Sequence, residues 1–183
     1  MPVQVLENFL PNGLADTIEQ TIGDNHLAWY WRESSTYYDE RSKTSKDFQF
    51  VHVIFYEGKV TSDTFGLARE LLIAFEKHTG KVIKDVFRIK ANLTVPSILN
   101  EAELDDAIHI DTDAVDKNLW SIVYYVSDSD GDTLLYDNAG NVVDKKSPVK
   151  GTAICFPSLQ KHRHTPPTHH KRRLVINFVV EIA

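Results

Sequence analysis

The run LWSIVYYV at residues 119–126 decides the fold class of this chain. It is apolar, rich in β-branched and aromatic residues, and is followed by the turn sequence Asp128-Ser129-Asp130-Gly131. A short apolar run of this composition that stops at turn residues is typical of a β-strand. The surrounding sequence therefore has to supply the partners of a sheet.

Short segments of the same kind recur from residue 86 to the C-terminus, separated by turn residues. The predicted strands are 86–93, 107–110, 119–126, 133–136, 152–156 and 174–182, with an earlier one at 50–55. Apolar residues at helical spacing predict one helix from Leu14 to Ile22 and a second that ends at Gly80. Many short strands after a helical opening predict a β-sandwich or jelly roll, supported by helices on one face.

Composition indicates an ordinary globular domain. The 183 residues suit a single domain, and 42% hydrophobic with 25% charged residues is a usual soluble balance. The formal net charge of −6 disfavours nucleic-acid binding, and no apolar run suggests a membrane span. A lone cysteine, Cys155, and an N-terminus unlike a signal peptide lead us to expect a cytoplasmic protein.

The sequence His109-Ile110-Asp111 is the first candidate for chemistry. Residues two apart on an extended segment point to the same side, so this histidine and carboxylate can share a metal. A distant second histidine, His162, would complete the two-His-one-carboxylate set of non-haem Fe(II) oxygenases. The pattern H-x-D alone also arises by chance, and His164 competes with His162 because both lie on one strand face.

The last predicted strand begins with a cation. Arg172 shares a face with the apolar residues Leu174, Ile176 and Phe178. An inward charge needs a partner, so we predict that Arg172 points into a cavity and binds a carboxylate. The alternative is a strand-end arginine exposed to water.

From about residue 86 onward the chain resembles the 2-oxoglutarate/Fe(II)-dependent dioxygenases, most closely the prolyl-4-hydroxylase-like branch. In that family H-x-D precedes a distal histidine, and a basic residue follows nine or ten positions later. Here Arg172 lies ten residues after His162, which favours His162 over His164 as the ligand. Tyr125 lies sixteen residues after His109, where the family has a tyrosine that contacts the cosubstrate's distal carboxylate.

Further matches flank these positions. Gly131-Asp132-Thr133 resembles a family turn, and Pro148, Gly151, Phe156 and Pro157 resemble the stretch before the distal histidine. The segment 88–93 resembles the strand before H-x-D, and Asn92 is predicted to contact the cosubstrate's keto-acid end. The tyrosine that many relatives carry just before the first ligand has no counterpart here, and the loop is instead acidic.

The resemblance implies a double-stranded β-helix (jelly-roll, cupin-like) core of the α+β class with N-terminal supporting helices. Residues 1–183 would be one dioxygenase domain, in which 1–85 give support and 86–183 most of the core. Fe(II), 2-oxoglutarate and O₂ would be used, with ascorbate as a candidate stimulant. A C–H bond of a peptide, prolyl residues included, or of a small molecule would be hydroxylated, with release of succinate and CO₂.

The metal triad His109, Asp111 and His162 would carry this reaction, with Arg172, Tyr125 and Asn92 on the cosubstrate and no further side-chain acid or base. The irregular segments 32–47 and 94–106 are predicted to contact the substrate. Two alternatives stay open. One is a jelly-roll metalloprotein that uses zinc or manganese without 2-oxoglutarate. The other is a non-catalytic β-sandwich binding module.

Overall fold

The computed structural model describes residues 3–34, 48–97, 107–115 and 117–183. Within these residues, two helices accompany eleven strands. The helices are α1 (Leu14–Ile22) and α2 (Phe65–Thr79). The strands are β1 (Gln4–Leu6), β2 (Tyr30–Arg32), β3 (Gln49–Tyr56), β4 (Lys59–Val60), β5 (Ile83–Thr94), β6 (Leu119–Tyr125), β7 (Thr133–Tyr136), β8 (Val142–Lys146), β9 (Ala153–Pro157), β10 (His162–His164) and β11 (Arg173–Ile182).

Two antiparallel sheets build the core. The larger has the order β1-β9-β6-β11-β5-β3-β2, with β4 paired to β3, and the smaller has the order β10-β7-β8. Apolar side chains from β6, β7, β9 and β11 pack together, which joins the inner faces of the two sheets. This is the predicted jelly-roll sandwich.

The outer face of the large sheet is covered by the helices. Ile18 and Ile22 of α1 and Leu71 and Phe75 of α2 are buried in one cluster with apolar residues of the sheet. That cluster includes Leu174, Ile176 and Phe178, the alternate residues of β11. Helical support on one face is thus confirmed. The helices cover the side chains at alternate positions of β11, which form one of the two faces of that strand.

Most predicted elements are confirmed within a residue or three of their bounds. Gly80, with φ 69°, ends α2 in the left-handed conformation that glycine adopts without strain. The predicted strand at 107–110 is wrong, because this segment forms a single bridge between His109 and His162. The short strands β1, β2, β4, β8 and β10 were not predicted, since two to five residues carry too little periodicity.

Both segments predicted to contact substrate lie mainly outside the described residues, which include only 32–34 and 94–97 of them. Among the described parts of the chain, neither helix has the length and apolar character needed to cross a membrane.

Candidate metal centre

His109, Asp111 and His162 meet inside the sandwich. Each offers one ligand atom, and these atoms lie within 4.8 Å of one another. The backbone causes this meeting, because His109 and His162 exchange both N–H···O bonds at 2.9 Å. The two imidazole rings consequently lie side by side with centroids 4.4 Å apart. The next backbone contact, from Asp111 N to Ser158 O at 2.9 Å, fixes the third member.

Hydrogen bonds orient both imidazoles for metal binding. Nδ1 of His109 lies 2.8 Å from the carbonyl oxygen of Ala107, and Nδ1 of His162 lies 2.8 Å from that of Gln160. A carbonyl oxygen only accepts, so each Nδ1 carries the hydrogen and each Nε2 keeps its lone pair. Such support from a carbonyl group is the usual second contact of a metal-binding histidine.

The carboxylate of Asp111 is held on both oxygens. Oδ1 forms a salt bridge with Arg88 at 2.7 Å, and Oδ2 accepts hydrogen bonds from Ser121 at 2.6 Å and Asn177 at 3.3 Å. Burial by itself would raise the pKa of Asp111, but the nearby His162 and the guanidinium of Arg88 outweigh it. The pKa therefore lies well below its ordinary value, and the group is ionised at neutral pH.

His109 is correspondingly neutral. Burial lowers its pKa to about 3, with a further contribution from the charge of His162. Metal ligation needs a neutral imidazole and an ionised carboxylate, which are the states that these environments favour. Two imidazole nitrogens and one carboxylate oxygen fit a divalent transition metal such as Fe(II).

His164, the competitor of His162, lines the same cavity but is not part of the triad found among the described residues. Its neighbour across the strand pair is Thr133, the first residue of β7, two residues before Leu135, the neighbour of His162. Burial lowers the pKa of His164 well below its usual value, and Arg173 adds to this. The geometry therefore places His162, and not His164, beside His109 and Asp111.

Arg172 does not point into this cavity, which corrects the sequence-based prediction. Its Nη1 donates to the carbonyl oxygen of Gly23, at the end of α1, at 3.2 Å. It lies on the side of the sheet that the helices cover, together with Leu174 and Ile176. The apolar face that Arg172 was predicted to share therefore packs against the helices and does not line the cavity. A cation at a helix C-terminus is favoured by the helix dipole, which explains this contact without a ligand.

Arg173 occupies the place that was predicted for Arg172. It is buried and lines the cavity, with Nε 2.8 Å from Gly131 O and Nη2 2.8 Å from Thr133 Oγ1. Gly131 makes room for it, because a Cβ there would lie 2.9 Å from Arg173 Cδ and 2.6 Å from Thr165 O. The cavity cation therefore lies eleven residues after His162, one more than the family spacing suggested.

Tyr125 lies beside this cation. Its hydroxyl group is 3.0 Å from Thr133 Oγ1, the atom that also accepts from Arg173. The guanidinium carbon of Arg173 is 5.9 Å from the centre of the Tyr125 ring. Burial raises the pKa of Tyr125, although Arg173 opposes this, so the phenol stays protonated and can donate.

Asn92 lies between the cation and the triad. On β5 it is opposite Val175, whereas Thr94 is opposite Arg173 and Lys90 is opposite Asn177. Asn92 lines the cavity, and its buried Oδ1 has no hydrogen-bond partner among the described residues. An unmatched buried acceptor is costly, so this position suits contact with a bound molecule.

Comparison with known proteins finds a family model that matches part of the chain. The model of the 2OG-Fe(II) oxygenase superfamily matches residues 101–181, the segment that contains the whole triad and Arg173. No curated protein sequence matches the chain.

Several solved structures share the fold over nearly the whole chain. An oxidoreductase of the 2OG-Fe(II) oxygenase family from Burkholderia pseudomallei has 12% identity and a TM-score of 0.65, and the match covers 98% of this chain and 84% of that one. A Pseudomonas putida prolyl-4-hydroxylase has 15% identity and a TM-score of 0.60, with 98% and 91% covered. A Trichoplax adhaerens prolyl hydroxylase, solved with a peptide fragment of the hypoxia inducible factor oxygen degradation domain, has 13% identity, a TM-score of 0.64, and 98% and 83% covered.

Sequence reasoning missed several residues of this cavity. Arg88 and Lys90 lie on the cavity side of β5 together with Asn92, and Asn177 lies opposite Lys90 on β11. Alternation of polar residues at 88, 90 and 92 within an apolar strand was the available signal. Burial lowers the pKa of Lys90 to about 7, and the charge of Arg88 adds to this effect.

A larger open groove lies elsewhere. Its volume is about 860 Å³, and it is lined by residues of α1, β3 and the segment before α2, including His52 and Ser62. His52 Nε2 is 2.7 Å from Ser62 Oγ, while its Nδ1 is 2.8 Å from Ala28 O. Because Ser62 Oγ also accepts from Thr64 N at 3.1 Å, this set ties β3 to the start of α2. We assign the chemistry to the smaller cavity, where the triad lies.

Proposed function

We propose that this protein uses Fe(II), O₂ and 2-oxoglutarate to hydroxylate a C–H bond of a peptide or small molecule, with release of succinate and CO₂. One observation carries the proposal. Three ligand atoms within 4.8 Å of one another lie at one end of a cavity whose other end holds the buried guanidinium of Arg173. A chelating keto acid with a second carboxylate needs this combination of a metal and a remote cation.

The distances along the strands suit such a cosubstrate. Asp111 contacts Asn177, whereas Arg173 lies four residues before Asn177 on the same strand. Four residues of a strand span about 13 Å, and long side chains extend into this gap from both ends. Arg173 and Tyr125 would bind the 5-carboxylate, and Asn92 lies on the path from them to the metal. Arg172 has no part in this carboxylate binding, because its side chain contacts Gly23.

The bound iron and 2-oxoglutarate together supply the oxidising power for the reaction. The protein holds and positions them. Arg88, Ser121 and Asn177 keep Asp111 ionised and oriented, while the backbone carbonyl groups behind His109 and His162 direct both Nε2 atoms inward. Apolar side chains from both sheets pack beside this centre, with the ring of Phe156 4.9 Å from that of His162.

The substrate class follows less directly from the fold. The Trichoplax adhaerens relative was solved with a peptide fragment bound, so a peptide, peptidyl proline included, is one candidate substrate. A free amino acid or another small metabolite is the second. We also propose a cytoplasmic location, as expected from the single cysteine.

Succinate formation tests the proposed function. The purified protein, loaded anaerobically with Fe(II), should convert 2-oxoglutarate to succinate in the presence of O₂ and ascorbate, even without prime substrate at a slow rate. A candidate substrate should accelerate this and gain 16 daltons, the mass of one oxygen atom. Asp111→Asn serves as the negative control, because it preserves shape but removes the anionic ligand.

The result also separates the alternatives. A zinc or manganese enzyme of another kind would bind metal at the same triad but form no succinate. A binding module without chemistry would show neither stoichiometric metal nor thermal stabilisation by N-oxalylglycine, the unreactive analogue of 2-oxoglutarate. Either outcome with correctly folded protein would refute the proposal.

A further inference from the structure

Lys90 is a further cation that lines the cavity, besides Arg173 and Arg163. It projects from the middle of β5, opposite Asn177 on β11 and Val53 on β3, and it lines the same cavity as His109 and Asp111. A lysine ammonium in a largely enclosed site loses hydration, and the loss is costly unless an anion compensates it. The position of Lys90 therefore calls for a source of negative charge.

The described protein residues do not supply that charge in full. Asp111 is the one carboxylate whose charge favours protonated Lys90, whereas the charges of Arg88 and Arg32 oppose it. Asp111 is already paired with Arg88 at 2.7 Å. A divalent metal on the triad would add more positive charge to the same end of the cavity, which increases the need for an anion there.

The location separates this cation from Arg173. Lys90 lies opposite Asn177, which contacts Asp111, so it belongs to the metal end, while Arg173 lies at the other end opposite Thr94. Asn177 Oδ1 and Asn92 Oδ1 are buried near it and have no hydrogen-bond partner among the described residues. Both atoms are uncharged hydrogen-bond acceptors, so they do not balance the charge of the ammonium group.

We propose that Lys90 binds a carboxylate group at the metal end of the cavity. The inference rests on the proposed function and extends it to this chain's own residues. Two molecules could bring the carboxylate: the cosubstrate, through its 1-carboxylate, or an anionic prime substrate such as a free amino acid or a dicarboxylic acid.

Calorimetric titration of the Mn(II)-loaded protein with N-oxalylglycine tests the first source. Manganese keeps the metal site occupied without turnover. Lys90→Met keeps the length of the side chain but removes its charge, and its Kd should rise at least about tenfold, the loss expected for a charge-assisted contact. Lys90→Arg should restore most of the affinity. Lys84→Met, which removes an exposed lysine from the same strand, is the matched control and should bind like wild type.

The second source is tested with N-oxalylglycine held at saturation. A panel of free amino acids and dicarboxylic acids is then screened by thermal shift. If N-oxalylglycine binds wild type and Lys90→Met equally, but an acid of the panel stabilises only wild type, the carboxylate belongs to the prime substrate. If Lys90→Met matches wild type in both experiments, with equal metal content and equal circular dichroism, the proposal is wrong. A wild-type protein that binds no N-oxalylglycine refutes the proposed function itself, independently of any comparison between Lys90 variants.

Discussion

Replacement of Arg173, the first residue of β11, and of Arg172 directly before it gives a direct test of the cavity. Arg173→Gln removes the buried guanidinium that faces the metal triad, and Arg172→Gln removes the one that contacts the end of α1. The two changes are chemically identical and adjacent in sequence. Any difference between their effects therefore reports on the side of the sheet and not on the substitution.

The magnitudes follow from the contacts. A charge-assisted hydrogen bond to a carboxylate is worth about 1.5–3 kcal/mol, so Arg173→Gln should raise the Kd of N-oxalylglycine about 10- to 150-fold. Arg172 instead donates to Gly23 O beside a helix C-terminus, where a cation contributes about 0.3–1 kcal/mol of folding stability. Arg172→Gln should therefore lower the melting temperature slightly and leave the Kd unchanged.

Isothermal titration of Mn(II)-loaded protein measures the affinities, and thermal unfolding measures the stabilities. Arg173→Lys is the conservative control; it keeps a charge but loses the planar fork, so its Kd should lie between those of wild type and Arg173→Gln. Metal content should be equal in all variants. Equal Kd values for wild type and Arg173→Gln, or a loss in Arg172→Gln as large as in Arg173→Gln, would refute the assignment.

Three further predictions concern the surroundings of the triad. Arg88→Met should weaken metal binding about 10- to 100-fold, measured by competition with a chelator, because Asp111 loses a partner that keeps its carboxylate ionised. Unchanged metal affinity would show that Arg88 has no such role. Without metal, the free energy of unfolding should fall as pH decreases from 6.5 to about 3, because His109 takes up a proton at its ordinary pKa of 6.5 only in the unfolded protein. Urea titrations should show a loss of about 1.4 kcal/mol per pH unit from this group. The loss should be absent in His109→Gln. Gly131→Ala should destabilise the fold by about 1–3 kcal/mol and weaken N-oxalylglycine binding, because the new Cβ would lie 2.6 Å from a backbone oxygen. Gly66→Ala is the control and should not destabilise the fold, because a Cβ at residue 66 would have no atom within 4 Å.

Local pattern was sufficient for the elements that are long or strongly apolar. The run at residues 119–126 forms β6, and the turn sequence after it does end the strand. The stripe before Gly80 forms α2, since apolar spacing and a glycine C-cap are properties of the segment itself. The segment around His109 was beyond such reasoning. Its extended shape depends on a single bridge to His162, a residue far away in sequence.

The candidate site divides in the same way. The sequence by itself identified His109 and Asp111, with His162 or His164 as the second histidine, and the family resemblance favoured His162. It also showed that Arg172 and Arg173 lie on opposite faces of one strand, since side chains alternate along any strand. It did not show which of the two faces lies toward the cavity and which lies toward the helices. Apolar neighbours made the face of Arg172 look like a cavity wall, but an apolar face is equally what a covering helix requires.

Only the tertiary structure decided that question, because α1 and α2 pack on one side of the large sheet and the small sheet on the other. Leu174 and Ile176 consequently meet helices, while Arg173 and Asn177 line the cavity that contains the triad. The polar residues at positions 88, 90 and 92 of β5 lie on this side as well, because of the register in which β5 pairs with β11. Alternation is a local property of the backbone, whereas the identity of each face is set by what the rest of the chain places against it.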